Sequence, residues 1–236
     1  MPRFVSVSSF VLLIAFVFAG PVLADDWNEP PWTREDPGTT YARWEFDGPG
    51  VAIPGSAYPF GYYGAPDDWY GPYPDDPPTL QVFGSGRDWM SQYPEVSVEP
   101  DVVRFGVWPL SGIIVIRIPN YPPENPEKRI RVQLTWASDS PFGKPSVEVQ
   151  PEGNAAAAEI VPLEISQLAG GPWTNSLYTT TIYPNPPWER IVIQGNVYVD
   201  EVVVDTWCVP EPGGVLGIIT GSLGLVGFVS RRRTRR

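Results

Sequence analysis

The 236-residue sequence contains no histidine and a single cysteine, Cys208. Without histidine, a Ser-His or Cys-His nucleophile is excluded, and no zinc site of cysteines and histidines can form. One cysteine also cannot form a disulfide within one chain. Cys208 is therefore either a residue that pairs between molecules or is modified, or a small buried residue at the end of a strand. The apolar residues that precede it in the sequence favour burial.

Positive charge is scarce between Asp25 and Cys208, a stretch of about 184 residues that is long enough for one domain with its own core. Of the 16 basic residues, Arg3 and five arginines at the C-terminus lie outside this stretch, and of the 27 acidic residues only Glu211 does. Ten basic residues against 26 acidic ones leave a net charge of −16. Such a surface repels nucleic acids and anionic lipid headgroups, so we expect no nucleic-acid partner.

The N-terminus has the pattern of a secretory signal peptide. Arg3 supplies a short positive region, residues 4–20 are mostly apolar, and Val22-Leu23-Ala24 offers small residues at a cleavage position. An uncleaved anchor helix is the alternative, but the helix-breaking Gly20-Pro21 and the acidic residues after Ala24 favour cleavage. We expect residues 1–24 to be a signal helix that is recognised by the export translocon and removed by signal peptidase.

The C-terminus combines three elements of different chemistry in a fixed order. The rigid Pro210-Glu211-Pro212 precedes the apolar run 213–230, which is followed by a cluster of arginines. The run has about 18 residues and would form roughly 27 Å of helix, close to the thickness of a bilayer core. The arginines should remain cytoplasmic and leave the rest of the chain outside. A plain membrane anchor would explain the last two elements but not the Pro-Glu-Pro directly before them.

This arrangement resembles the PEP-CTERM sorting signal of exopolysaccharide-producing Gram-negative bacteria, whose tails are recognised by exosortase, an integral-membrane transpeptidase-like enzyme. The resemblance covers residues 209–236 only. It implies an exosortase-like partner and export across the inner membrane. The C-terminal helix would hold the chain in the membrane until processing, and the mature protein would then lie in the cell envelope, on the surface or outside. The implied sorting residues are Pro210, Glu211 and Pro212, and the basic stop is Arg231, Arg232, Arg233, Arg235 and Arg236.

The pattern of the residues between the two terminal signals predicts short strands and tight turns. We expect a disordered lead-in at 25–40 and one domain at 41–208. Residues 112–118 are β-branched except for Gly112 and Arg117, and residues 129–136 alternate, with Ile130, Val132, Leu134 and Trp136 on one face. The only helix-like tract is 155–158. Gly195-Asn196 is either a hairpin turn or a bulge in one long strand. These patterns predict an all-β fold, an antiparallel β-sandwich of jelly-roll-like type.

The last strand, at 197–205, faintly resembles the closing strand of jelly-roll carbohydrate-binding modules. Strand alternation places Tyr198, Asp200, Val202 and Val204 on one face. In such modules an acid at the position of Asp200 often lies near a structural calcium, so Asp200 is a candidate ligand, although a solvent-facing carboxylate is the simpler interpretation. Asp-rich turns also supply calcium ligands, which adds Asp67 and Asp68 as candidates. No cofactor other than calcium is expected.

Aromatic residues are concentrated in a Pro- and Gly-rich stretch at 54–78. Aromatic rings stack on the apolar faces of sugars, but they also pack a loop against a domain. We expect this stretch to be a large loop over a sheet, and it holds the candidate glycan-contacting residues Trp69, Tyr62, Tyr63, Tyr70 and Tyr73.

These patterns predict an exported, non-catalytic protein of the cell envelope or extracellular matrix, associated with exopolysaccharide or biofilm. Two alternatives remain open. One is a carbohydrate-binding module supported by calcium. The other is a glycosidase-like enzyme, since two carboxylates need no histidine, although no spacing of acids singles out a pair.

Overall fold

The computed structural model describes residues 27–48, 51–52, 61–72, 75–84, 89–94, 103–121, 126–140, 143–153, 155–157, 159–167 and 171–209. These residues form β-strands joined by turns and contain no helix, and every strand pairing among them is antiparallel. The prediction of an all-β, antiparallel fold is confirmed. The strands are β1 (Thr39–Trp44), β2 (Val51–Ala52), β3 (Gly61–Gly64), β4 (Asp68–Tyr70), β5 (Thr79–Gly84), β6 (Met90–Tyr93), β7 (Arg104–Pro119), β8 (Glu127–Ala137), β9 (Ser146–Pro151), β10 (Ala156–Ala157), β11 (Val161–Gln167), β12 (Trp173–Tyr183) and β13 (Trp188–Val209).

Strand β13 is 22 residues long and organises the sheet. Its first half pairs with β7 on one side and β9 on the other. Its second half pairs with β8 on one side and β1 on the other. The first sheet has the strand order β2-β3-β5-β7-β13-β9. The second sheet has the order β4-β1-β13-β8-β12, and both β10 and β11 pair with the outer edge of β12. Strand β6 pairs with the beginning of β7.

The two halves of β13 fold back on each other. Glu189 near its start and Cys208 near its end would be roughly 60 Å apart in a fully extended strand. Both instead lie beside Lys128: the Glu189 carboxylate is 2.6 Å from the Lys128 Nζ, and Cys208 is the pairing partner of Lys128 across β8 and β13. The first and second sheets therefore face each other, and β13 crosses from one to the other.

The bend coincides with an irregularity at Asp200. The pairing of β13 with β8 shifts register between Val199 and Glu201, so Asp200 is the extra residue of a bulge. Because of this shift, Val199 and Val202 both belong to the buried core, and the predicted shared face of residues 198, 200, 202 and 204 is wrong. Gly195-Asn196 forms no hairpin turn but lies inside the continuous strand.

The core lies between the two sheets and is built from the alternating apolar residues of the long strands. The predicted inward face of β8 is confirmed, since its four apolar side chains are all buried in the main core cluster. The same cluster takes apolar residues from β7 and from both halves of β13, namely Ile114, Ile116, Ile118, Ile191, Ile193, Val202 and Val204.

The expectation of a helix-like tract at 155–158 is wrong at Ala156–Ala157. These residues form β10 and pair with Ile182 and Tyr183 of β12. A short alanine run is a weak helix former on its own, and the free backbone groups along the edge of β12 provide hydrogen-bond partners for an extended segment instead.

The expected signal helix at 1–24, the apolar run 213–230 and the arginine cluster lie outside the described residues. In the part of the chain that the structure describes, no helix has the length and apolar character required to cross a bilayer.

We predict that Gly106→Ala lowers the free energy of unfolding by roughly 2–4 kcal/mol, from an unfavourable positive φ plus a steric clash. Gly106 has a φ of +77°, and a Cβ there would lie 2.5 Å from the carbonyl oxygen of Phe46. Phe46 is itself buried with a φ of 51°, and its carbonyl accepts the indole N–H of Trp89 at 2.8 Å, so it has little freedom to move.

Gly153→Ala is the matched control, because Gly153 has a similar φ of +75° but open space around the Cβ position. Urea denaturation should give a loss of roughly 1–2 kcal/mol for this variant, from the backbone term alone. If the two variants lose the same free energy of unfolding, the contact with Phe46 does not restrict which side chain residue 106 can carry.

Candidate functional site

A groove runs along the outer face of the second sheet, between that sheet and the lead-in residues 27–36. It has a volume of about 570 Å³. The residues that define its chemistry are Trp32, Arg129, Arg131, Glu159, Thr179 and Thr181. It is the candidate binding site for an extended polar ligand, and it was not anticipated from the sequence.

The floor of the groove follows directly from strand alternation. In β8, Arg129 and Arg131 alternate with the buried Ile130 and therefore point away from the core. On the neighbouring strand β12, Thr179 pairs with Arg131 and Thr181 pairs with Arg129. Arg129 is exposed and Thr179 and Thr181 are half-buried, so their guanidinium and hydroxyl groups can meet a hydroxyl-rich ligand, whereas Arg131 is buried under the lead-in.

The wall of the groove is aromatic. Trp32 of the lead-in packs against Trp207 of β13 with ring centroids 5.7 Å apart. The guanidinium of Arg131 lies 5.9 Å from the Trp32 ring, and that of Arg129 lies 5.5 Å from the Trp207 ring. Each tryptophan ring is thereby paired with one of the two arginines of β8.

Residues 27–38, expected to belong to a disordered lead-in, lie against the second sheet. Arg34 forms a two-point ion pair with Asp205, with Nε and Nη2 at 2.7 and 3.0 Å from the two carboxylate oxygens. The Asp205 side chain is fully buried, and the Arg34 guanidinium also stacks 4.0 Å from the centre of the Tyr41 ring. A bidentate pair of this kind fixes both position and orientation.

Two residues of β8 bind the backbone of the lead-in. Arg131 donates to the carbonyl oxygens of Asn28 and Glu29, both at 3.1 Å, and the backbone N–H of Asn28 donates to Gln133 Oε1 at 3.0 Å. Arg131 and Gln133 are thereby buried although they lie on the outer face of the sheet. The lead-in is thus a second layer on the sheet and forms one side of the groove.

The aromatic residues singled out from the sequence occupy different places. Trp69 lies on β4, is half-buried and packs against the main core, whereas its neighbour Tyr70 is exposed and donates its hydroxyl to the Glu35 carbonyl at 3.2 Å. Tyr62 and Tyr63 lie on β3 in the first sheet, and their side chains are outside the described part of the structure, as is all of Tyr73. The structure therefore puts the described aromatic residues of this stretch on strands of two different sheets, β4 in the second and β3 in the first.

The candidate calcium ligands also separate. Asp67 is exposed and accepts the Glu45 backbone N–H at 2.8 Å, and Asp68 is exposed on β4. Asp200 is buried at the bulge, with the Arg104 guanidinium 3.8 Å away. Within the described ranges, no three Asp, Glu or Cys side chains meet in a group that would hold a metal. Calcium binding stays a prediction for these residues.

A second polar cluster is buried where β7, β8 and β13 meet, and sequence reasoning missed it. It contains Lys128, Glu189, Cys208, Asn120 and Asn185, all at most 4% exposed. A signal was present: Lys128 shares its parity with the apolar inward face of β8, so alternation places it in the core. Burial raises the pKa of Glu189, and the adjacent Lys128 acts in the opposite direction.

Cys208 belongs to this cluster and is 1% exposed. Its thiol is within 3.5 Å of the Asn185 Nδ2, and burial raises the pKa of the thiol. A buried thiol with a raised pKa is poorly nucleophilic. The structure therefore favours the buried-residue interpretation of Cys208 over pairing between molecules.

Comparison with protein-family models, with curated proteins and with solved structures gave no match. The functional interpretation consequently depends on the terminal sequence patterns and on the chemistry of the groove.

We predict that Arg34→Met releases the lead-in from the second sheet. Asp205 would lose its bidentate partner, which should cost roughly 2–4 kcal/mol of stability. Hydrogen exchange at residues 28–36 should become faster while the strands of the core keep their protection.

Arg190→Met is the control, since Arg190 is an exposed arginine whose guanidinium lies over Trp188. This variant should leave exchange in the lead-in unchanged. Unchanged exchange in Arg34→Met as well would show that the ion pair does not hold the lead-in.

Proposed function

We propose that this chain is an exported, non-catalytic protein of the cell envelope or extracellular matrix, sorted through a PEP-CTERM signal and associated with exopolysaccharide or biofilm. The observation that carries the proposal is the order of elements at the C-terminus: Pro210-Glu211-Pro212, an apolar run of bilayer length, and a terminal arginine cluster. A plain membrane anchor would require only the apolar run and the arginine cluster.

The proposed route uses both ends of the chain. The export translocon would carry the chain across the inner membrane, and signal peptidase would remove residues 1–24. The helix at 213–230 would then hold the chain until an exosortase-like enzyme acts at the Pro-Glu-Pro. The mature part would remain in the envelope, at the surface or outside, with the net charge of −16 derived above.

The mature part, in this proposal, is a β-sandwich of jelly-roll-like type. The doubling back of β13 supports a sandwich, because one strand contributes to both facing sheets and the buried apolar residues lie between them. A sandwich with an acidic surface suits a soluble module in a hydrated polysaccharide matrix, where net charge maintains solubility.

Carbohydrate binding is the second candidate function, and the groove along β8 and β12 favours it. A tryptophan wall above a floor of threonine and arginine side chains matches a sugar, which has apolar ring faces and hydroxyl edges. The groove replaces the aromatic stretch as the preferred binding surface, because Trp69 packs on the core. Calcium support through Asp200, Asp67 or Asp68 belongs to this alternative.

The sorting proposal predicts the C-terminus of the mature protein. Mass spectrometry of the protein from its producing cell should find a chain that ends near residues 210–212, without the apolar run. Glu211→Ala should retain Arg236 and stay in the membrane fraction, because the recognition segment is altered while the anchor is intact.

Glu152→Ala is the matched control, as an exposed acid remote from the tail, and it should be processed like the wild type. Normal processing of Glu211→Ala would show that the Pro-Glu-Pro is not the recognised segment, and an intact Arg236 in the wild type would favour the plain anchor and remove the sorting proposal.

The carbohydrate-binding candidate predicts retention on a panel of soluble and insoluble glycans. Trp32→Ala should weaken retention roughly three- to tenfold, the effect of one lost stacking contact. Tyr70→Ala removes an exposed aromatic of the 54–78 stretch together with one exposed hydrogen bond to the lead-in, and it should reduce retention much less than Trp32→Ala. If Tyr70→Ala weakens retention more than Trp32→Ala does, the binding site lies in the 54–78 stretch instead. If the wild type and both variants all fail to bind, that would count against carbohydrate binding.

A further inference from the structure

Three side chains with complementary chemistry are enclosed at one end of the structure. Asn120 directly follows β7, Lys128 is the second residue of β8, and Glu189 is the second residue of β13. Lys128 and Glu189 are 0% exposed and Asn120 is 2% exposed. This end of the structure brings together both sheets and both ends of β13.

Both Lys128 and Asn120 contact the Glu189 carboxyl group. The Lys128 Nζ is 2.6 Å from Glu189 Oε1, and the Asn120 carboxamide is within hydrogen-bonding reach of the same carboxyl. The Asn120 Nδ2 is held from the other side, where it donates to the Pro186 carbonyl at 2.6 Å. The amine and the carboxamide are thereby positioned on one carboxyl group.

The cluster is poorly arranged for a purely structural ion pair. In the described part of the structure, Lys128 Nζ, both Glu189 carboxyl oxygens and Asn120 Oδ1 are buried and have no hydrogen bond of good geometry. A buried ion pair offsets its desolvation cost only when the remaining polar atoms are well bonded. Burial raises the pKa of the Glu189 carboxyl, which favours its protonated, neutral form.

We propose that Lys128 and Asn120 form an intramolecular isopeptide bond, with Glu189 as the group that moves the protons. Neutral amines are nucleophiles, carboxamides are acylating groups when their leaving nitrogen is protonated, and a shared carboxyl group can both take and give a proton. The proposal is independent of the sorting and carbohydrate-binding proposals.

The reaction balances without any further reactant. The Lys128 Nζ lone pair attacks the Asn120 Cγ, forming the new C–N bond, while the neutral Glu189 carboxyl donates its proton to the carboxamide oxygen. The attacking nitrogen then loses a proton to the Glu189 carboxylate. Glu189 next gives this proton to Nδ2, the carbonyl re-forms as the hydroxyl proton returns to Glu189, the original C–N bond breaks, and ammonia leaves. No electrons are gained or lost.

Asn120, rather than Asn185, is the residue whose carboxamide carbon the Lys128 amine attacks. Asn185 is also buried, but its Nδ2 is directed to the Cys208 thiol at 3.5 Å. Asn120 is the asparagine that interacts with Glu189. The bond would join the end of β7 in the first sheet to the start of β8 in the second, in a chain that cannot form a disulfide of its own.

Tryptic peptide mapping of the full-length protein tests the bond directly. Asn120 and Lys128 lie between the cleavage sites Arg117 and Arg129. With the bond present, trypsin cannot cut after the acylated Lys128, and residues 118–129 should appear as one peptide that is lighter than its sequence mass by one ammonia. Fragmentation should produce no separated fragments from breaks between residues 120 and 128.

Without the bond, trypsin cuts after Lys128 and yields residues 118–128 at their full sequence mass. That result for the wild type would overturn the proposal, whatever the variants do. A peptide in which Lys128 is joined to Asn185 instead would overturn the assignment of Asn120.

Glu189→Gln tests the proton-transfer role while preserving the shape of the side chain. It should leave Lys128 free, so that peptide 118–128 appears at full mass, and Asn120→Ala should do the same. Glu148→Gln is the matched control, since Glu148 is an exposed acid on β9, and it should keep the bond. Complete bond formation in Glu189→Gln would show that Glu189 is not the group that moves the protons.

Discussion

The structure depends on the pairing of β13 with four other strands. Its first half hydrogen-bonds to β7 and β9, and its second half to β8 and β1, so one segment supplies an inner strand to both sheets. The extra residue Asp200 changes the register where the strand turns back. Without that irregularity the apolar residues of the two halves could not all face the same core. The groove and the buried cluster are both consequences, since one lies on the outer face of the second half and the other lies where the two ends meet.

The outer face of the second sheet shows how a polar surface becomes part of a folded structure. Alternation in β8 necessarily points Arg129, Arg131 and Gln133 away from the core. The lead-in then covers part of this face, held by Arg34 on the buried Asp205 and by hydrogen bonds from Arg131 to backbone carbonyls. The uncovered part is the groove. Polar and charged side chains on this face, which the sequence alone would place in solvent, are in this way paired with a segment that lies about a hundred or more residues away in the chain.

The buried cluster illustrates the opposite case, in which charge lies on an inward face. Lys128 and Glu189 each lie on the same strand face as the buried apolar residues that follow them, so strand alternation places both side chains in the interior. Desolvation raises the pKa of the Glu189 carboxyl, and the contact with Lys128 opposes that shift. The cluster thereby lies where water is excluded, and its charged groups depend on one another for partners.

The sequence by itself determined the all-β antiparallel class and the inward apolar face of β8, because alternation and turn residues are local properties. It did not reveal the bulge at Asp200, the ordered lead-in or the β10 strand, because each depends on a partner strand or charge distant in the chain. The aromatic stretch was predicted from composition, yet only the fold decided that Trp69 packs on the core while Trp32 forms the wall of a groove. Which residues become neighbours is set by strand register and by the doubling back of β13, and neither is encoded in any short segment.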